Sequence, residues 1–176
     1  MKKILKILGA IVALIILYSI IAIFMFPDKY TSEKSIVINA PQEKVWQHVN
    51  SMQEINKWNP WMKLDENLIG TYKGTSGEVG DSYHWKGNDK VGEGMQEITA
   101  LYPNNKVSTH MHFIKPMDSH AKSNIILKAE GSGTKVTWTF DSNMPTMMKP
   151  MKPFMDMQMA KSYDEGLASL KKLSEK

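Results

Sequence analysis

An α+β domain, with a curved antiparallel sheet wrapped around a long C-terminal helix and a single transmembrane helix ahead of it, is the fold class this sequence predicts. Three observations lead there. Ile7 to Phe26 contains no charged residue. From Ile69 to Asp141, short β-branched and aromatic runs alternate with Gly, Asn and Pro punctuation. Beyond that, apolar residues recur at steps of three and four as far as Leu173, the period of a helix with one buried face.

The uncharged run is twenty residues long. As a helix rising about 1.5 Å per residue it spans roughly 30 Å, the thickness of a bilayer's hydrocarbon core. A cleaved secretory signal needs a shorter apolar region and a small-x-small cleavage site, whereas this run ends in Ile23-Phe24-Met25-Phe26-Pro27. There is no cysteine to carry a lipoprotein-type anchor. The expected organisation is therefore residues 1–29 as cytoplasmic lysines, membrane anchor and short linker, and residues 30–176 as one ligand-binding domain. Lys2, Lys3 and Lys6 precede the span, and Asp28, Lys29, Glu33 and Lys34 follow it. Because positive charge is retained in the cytoplasm, the amino end is expected inside the cytoplasmic membrane and the domain outside, periplasmic or extracellular.

The net charge of +4 is misleading, since the 19 lysines beyond the span face 18 acids, a net of +1. All 22 basic residues are lysine. Without the bidentate arginine fork, nucleic-acid binding is not expected. The absence of cysteine also removes disulfides, thiolate nucleophiles and thiolate metal ligands, so the core alone must hold the domain together.

In chain order, Tyr30 to Ile38 alternates as a strand. A helix begins at Pro41, with Val45, Trp46 and Val49 at helical spacing. Met52 to Lys57 predicts a second short helix that Asn59-Pro60 stops. The five or six β runs that follow are joined by such short connections, among them Gly87-Asn88-Asp89, Pro103-Asn104-Asn105 and Gly131-Ser132-Gly133, that neighbouring strands must be antiparallel. After Pro153 the helical period runs to the end, with Lys171, Lys172 and Lys176 suited to the negative end of the helix dipole. A long helix laid across a curved sheet leaves a hollow, and such hollows hold small apolar ligands.

Four stretches carry a family resemblance: Ser35-Ile36-Val37-Ile38-Asn39-Ala40-Pro41-Gln42-Glu43-Lys44-Val45-Trp46, then Trp58-Asn59-Pro60-Trp61, then Gly80 to Asn88, and Gly133-Thr134-Lys135-Val136-Thr137-Trp138-Thr139-Phe140. In this order they resemble the SRPBCC superfamily, the helix-grip fold of START lipid-transfer domains, birch-pollen-allergen-like proteins and bacterial polyketide cyclase/dehydrase-like domains. The resemblance covers the chain from about Tyr30 onward and implies a ligand cavity between sheet and C-terminal helix. It implies no particular reaction, because the fold hosts carriers, cyclases and regulators alike.

Candidate wall residues follow from period two: Tyr83 and Trp85 share one strand face, Met111 and Phe113 another, Trp138 and Phe140 a third, with Trp61 beside them. Met144, Met148, Met151, Met155 and Met159 form a stripe that continues into Tyr163 and Leu167, so Met151, Met155, Met159 and Tyr163 are expected as the lid and helix side. Pro145, Pro150 and Pro153 predict a broken approach to that helix. A copper site is not expected, because Met155 and Met159 share a helix face while Met157 points elsewhere. His110 and His112 share a strand face and His84 lies on a neighbouring run, yet the alternation with Met111 and Phe113 turns the imidazoles to water, so no metal is expected. Gly74, Gly77, Gly80, Gly92 and Gly94 read as hairpin glycines, since no strand-to-helix phosphate loop accompanies them. No cofactor is implied.

The expected function is a membrane-anchored binding protein for a hydrophobic small molecule, lipid or isoprenoid-like, with the membrane contacted through Ile7 to Phe26. The alternative is a metal-free cyclase/dehydratase on a polyketide-like or other apolar substrate, with Tyr83 and a desolvated Glu97 or Asp81 as its acid/base groups and Glu93 close by. A third reading is an interaction module whose cavity is filled by its own side chains.

Overall fold

The computed structural model describes the whole chain, Met1–Lys176. Helix α1 (Lys2–Met25) is long and apolar enough to cross a membrane, and Ala22 is its one buried residue. Its end docks on the domain: the Tyr18 hydroxyl donates to Pro150 O at 3.0 Å, and Lys149 Nζ donates to Ile23 O at 3.1 Å while pairing with Asp28 at 2.7 Å.

Seven strands make one antiparallel sheet: β1 (Lys29–Ile38), β2 (Ile69–Lys73), β3 (Ser82–Lys86), β4 (Glu93–Tyr102), β5 (Lys106–Lys115), β6 (Ser119–Glu130) and β7 (Gly133–Asn143), in the spatial order β1-β7-β6-β5-β4-β3-β2. The meander from β2 to β7 follows from the short connections. The closing pair is not local: β1 runs along β7 from Lys29 opposite Asn143 to Ile38 opposite Thr134. One end of the sheet therefore gathers the start of β1, the end of β7 and the β3–β4 and β5–β6 turns, and this is the end where α1 joins.

Between β1 and β2 lie α2 (Gln42–Trp46), α3 (Met52–Trp58) and a 3₁₀ turn, Pro60–Lys63. Ser51 caps α3 by accepting from the Glu54 N–H at 3.2 Å, and the Asn59 side chain accepts from the Trp61 N–H at 3.1 Å, so orphan donors at both starts are satisfied. After β7 the chain makes a second 3₁₀ turn, Thr146–Met151, and enters α4 (Lys152–Ser174) with Pro153 in the first turn, where a missing N–H breaks no helical bond. This is the proline-broken approach the sequence predicts.

Helix α4 lies along the sheet, and its Tyr163, Leu167 and Leu170 belong to one buried core with Ile38 and Val136 of the sheet, Val45 of α2, Ile55 and Trp58 of α3, and Val49 between those helices. Fully burying a leucine contributes roughly 1.5–3 kcal/mol, so Leu167 and Leu170 clamp the far half of α4 firmly. Closer to α1 the sheet and helix separate, and the core opens.

Candidate functional site

The opening is a cavity of about 390 Å³ between the sheet and the first half of α4, within the range of small-ligand sites. Its floor is Tyr83 and Trp85 of β3, Met111 and Phe113 of β5, and Trp138 and Phe140 of β7. Inward alternation brings these pairs to one face, and strand order spaces them across it. Gly94 stands opposite Trp85, and a Cβ there would fall 2.5 Å from Trp85 Cζ2; the missing side chain lets the indole lie over β4. Trp85 meets Phe113 edge-on, with ring centroids 6.0 Å apart.

Trp138 anchors the inner end. Trp58, Trp61 and Tyr163 surround it at centroid distances of 4.9, 5.5 and 5.0 Å, and its indole N–H donates to Ser123 Oγ at 3.0 Å. Edge-to-face geometry suits the ring quadrupoles, and the hydrogen bond removes the cost of burying the N–H. The roof is Met159 and Tyr163 of α4, with Trp61 and Met62 from the first 3₁₀ turn. The Tyr163 hydroxyl donates outward to Ser32 O at 3.2 Å, and burial pushes its pKa well above the ordinary tyrosine value. Tyr83 is shifted in the same direction, by burial and then by Tyr72. Gln96 is committed internally, donating to Thr109 Oγ1 at 2.9 Å.

Nine of the sequence-predicted wall residues thus line one cavity. Met151 and Met155 do not. Met151 precedes α4 in the 3₁₀ turn and is 46% exposed. Steps of four along a helix drift by about 40° each, so the stripe has rotated away from the cavity by the time it reaches Met155, and Met151 lies ahead of the helix altogether. Sequence reasoning missed Gln96, whose inward position the alternation of β4 could have given, Lys115 at the end of β5, and the turn residues Lys90, Pro116 and Met117, which carry no periodic signal.

No carboxylate or imidazole lines the cavity. Asp81 is buried as a structural acceptor, its Oδ2 taking the Met52 N–H at 2.9 Å and the Gly77 N–H at 3.0 Å. Glu93 lies 3.7 Å from His84 and 3.5 Å from Lys115, and Glu97 stands opposite His110. Glu93, Glu97, His84 and His110 alternate with the cavity residues of their strands and so face the other side of the sheet.

Residues 29–175 match the family described as polyketide cyclase / dehydrase and lipid transport. The chain belongs to that family. Solved structures of the same helix-grip fold include a protein from Chromobacterium violaceum (TM-score 0.59, 14% identity, covering 86% of this chain and 99% of that one). Others are Ara h 8.0201 (TM-score 0.57, 13% identity, 83% and 97%) and the Aha1 dimer from Colwellia psychrerythraea (TM-score 0.55, 22% identity, 83% and 96%). At these identities the likeness establishes the fold. No protein of curated function matches the chain. In this polyketide cyclase/dehydrase and lipid transport family member, the helix-grip architecture read from the four sequence stretches is the architecture observed.

Proposed function

We propose that this protein is a membrane-anchored binder of a hydrophobic small molecule, lipid or isoprenoid-like, and that α1 holds the cavity mouth against the bilayer with the domain on the outer side. The observation that carries this reading is the placement of the mouth. Its exposed lining residues, Lys90, Lys115, Pro116 and Met117, belong to the β3–β4 turn, the end of β5 and the β5–β6 turn, at the end of the sheet where α1 joins. Met147, Phe154 and Met157 present further exposed apolar surface in the segment packed against the end of α1 or just beyond it. A ligand leaving the bilayer would meet aromatic and thioether walls at once, and methionine adapts to irregular shapes. Lys90 suits an anionic or polar end left at the mouth, while the Lys115 ammonium is already paired with Glu93. Tethering raises the effective concentration of the cavity at the membrane without any added contact.

The test is denaturing mass spectrometry of organic extracts from full-length protein purified out of its native membrane. One apolar compound is expected in near-stoichiometric amount, with a several-fold lower yield from Met111→Trp, whose indole fills the cavity. Recovery of nothing above a detergent-matched control, or an unchanged yield from the filled variant, would overturn the reading.

A further inference from the structure

The outer face of the sheet carries a second constellation that the cavity does not use. His112 of β5 and His120 of β6 stand directly opposite each other in the antiparallel register, and their rings stack at 4.3 Å with planes 20° apart. His110, two residues earlier on the same strand face, stacks on the same His120 ring at 5.1 Å. Asp118 projects from the turn that joins the two strands. Its Oδ1 lies 3.3 Å from His112 Nε2 and 3.9 Å from His120 Nε2.

We propose that His112, His120 and Asp118 form a binding site for a divalent transition-metal ion of the zinc type. The donor atoms of the three residues all lie within 4.8 Å of one another. Ligands about 2.0–2.2 Å from a tetrahedral zinc stand roughly 3.3–3.6 Å apart, so small χ rotations bring them to coordination distance. Two imidazoles and one carboxylate are borderline ligands suited to zinc and nickel, whereas calcium and magnesium require a nearly all-oxygen shell. Direct cross-strand pairing fixes the Cβ separation at about 4.5–5.5 Å, so the backbone has already brought the imidazoles together. Asp118 and His120 are exposed and His112 is half-buried, which leaves the site accessible and a fourth position open to water. His84 lies on the same face beyond Met95, two strands away from His112, and takes no part. Because the site is on the opposite face from the cavity, it stands or falls independently of the cavity's ligand.

The experiment is calorimetric titration of zinc chloride into tag-free, chelator-stripped full-length protein in detergent. One ion per chain is expected. His112→Ala and His120→Ala should each weaken binding roughly tenfold or more, Asp118→Asn should weaken it several-fold, and His84→Ala should leave it unchanged. Far-UV circular dichroism checks that the variants fold, which these outward-facing positions favour. Cobalt substitution gives a second reading: visible d–d bands in the wild type that disappear in the His112→Ala/His120→Ala double variant. No stoichiometric zinc binding, or binding and cobalt bands that persist in a folded double variant, would sink the proposal.

Discussion

Trp138 shows how single residues decide where the core ends and the cavity begins. Its ring is held by Trp58, Trp61, Tyr163 and the hydrogen bond to Ser123, so it cannot yield to a neighbour. Gly166 of α4 exploits that rigidity: a Cβ there would stand 2.8 Å from Trp138 Cζ3 and 3.1 Å from Pro60 Cδ. Gly166→Ala gains helix propensity worth about 1 kcal/mol, but it forces α4 off the tryptophan, and overpacking costs about 1–3 kcal/mol. The expected net effect is destabilisation, read as a lower denaturation midpoint at unchanged m-value. Two tyrosines give a pH signature at the same scale. Burial, then the charge of Asp156, raises Tyr30 from 10.0 to about 12, and burial raises Tyr163 as well. A folded pKa above the unfolded one means the native state holds its proton longer. The stabilisation is thus complete below pH 10 and is lost as pH rises from there through about 12. Denaturation midpoints between pH 8 and 11.5 should fall above pH 10, and less steeply in Tyr163→Phe.

At the scale of elements, α4 divides into two functional halves. Leu167 and Leu170 lock the far half into the core, while Met159 and Tyr163 roof the cavity and the preceding 3₁₀ turn leans on α1. The methionine-rich entry is therefore two surfaces in succession and not one continuous lid. Met159→Trp is expected to lower the recovered apolar ligand several-fold. Met151→Trp, in the exposed turn, should leave it unchanged. Equal effects from both would restore the continuous lid that the spacing alone suggests.

At the scale of the molecule, the mouth, the exposed Met147, Phe154 and Met157, and the end of α1 all lie toward one end of the sheet. The chain has no cysteine, so single labelling sites can be introduced cleanly. An environment-sensitive dye on Met117→Cys should shift to the blue when the protein is reconstituted into vesicles. The same dye on Glu130→Cys, at the opposite end, should not. Matching responses at the two positions would argue against a mouth held at the bilayer.

By itself the sequence determined what depends on local order: the apolar helix, the strand alternation that pairs Tyr83 with Trp85 and Trp138 with Phe140, the short antiparallel turns, and the family through its opening Ser35 to Trp46 stretch. Six of the nine wall residues were legible because period two puts a whole strand's inward set on one face, and Met159 and Tyr163 because the helical stripe ran through them. The tertiary structure decided what depends on separation in space. Helical rotation took Met155 away from the cavity, the 3₁₀ turn ahead of α4 took Met151, and the β1–β7 pairing put the mouth beside the end of α1. The sequence brings His110 and His112 to one strand face but gives no hint that His120, eight residues on, completes the cluster. That neighbour comes from the hairpin's register, set by hydrogen bonds across β5 and β6 and by the length of the turn between them.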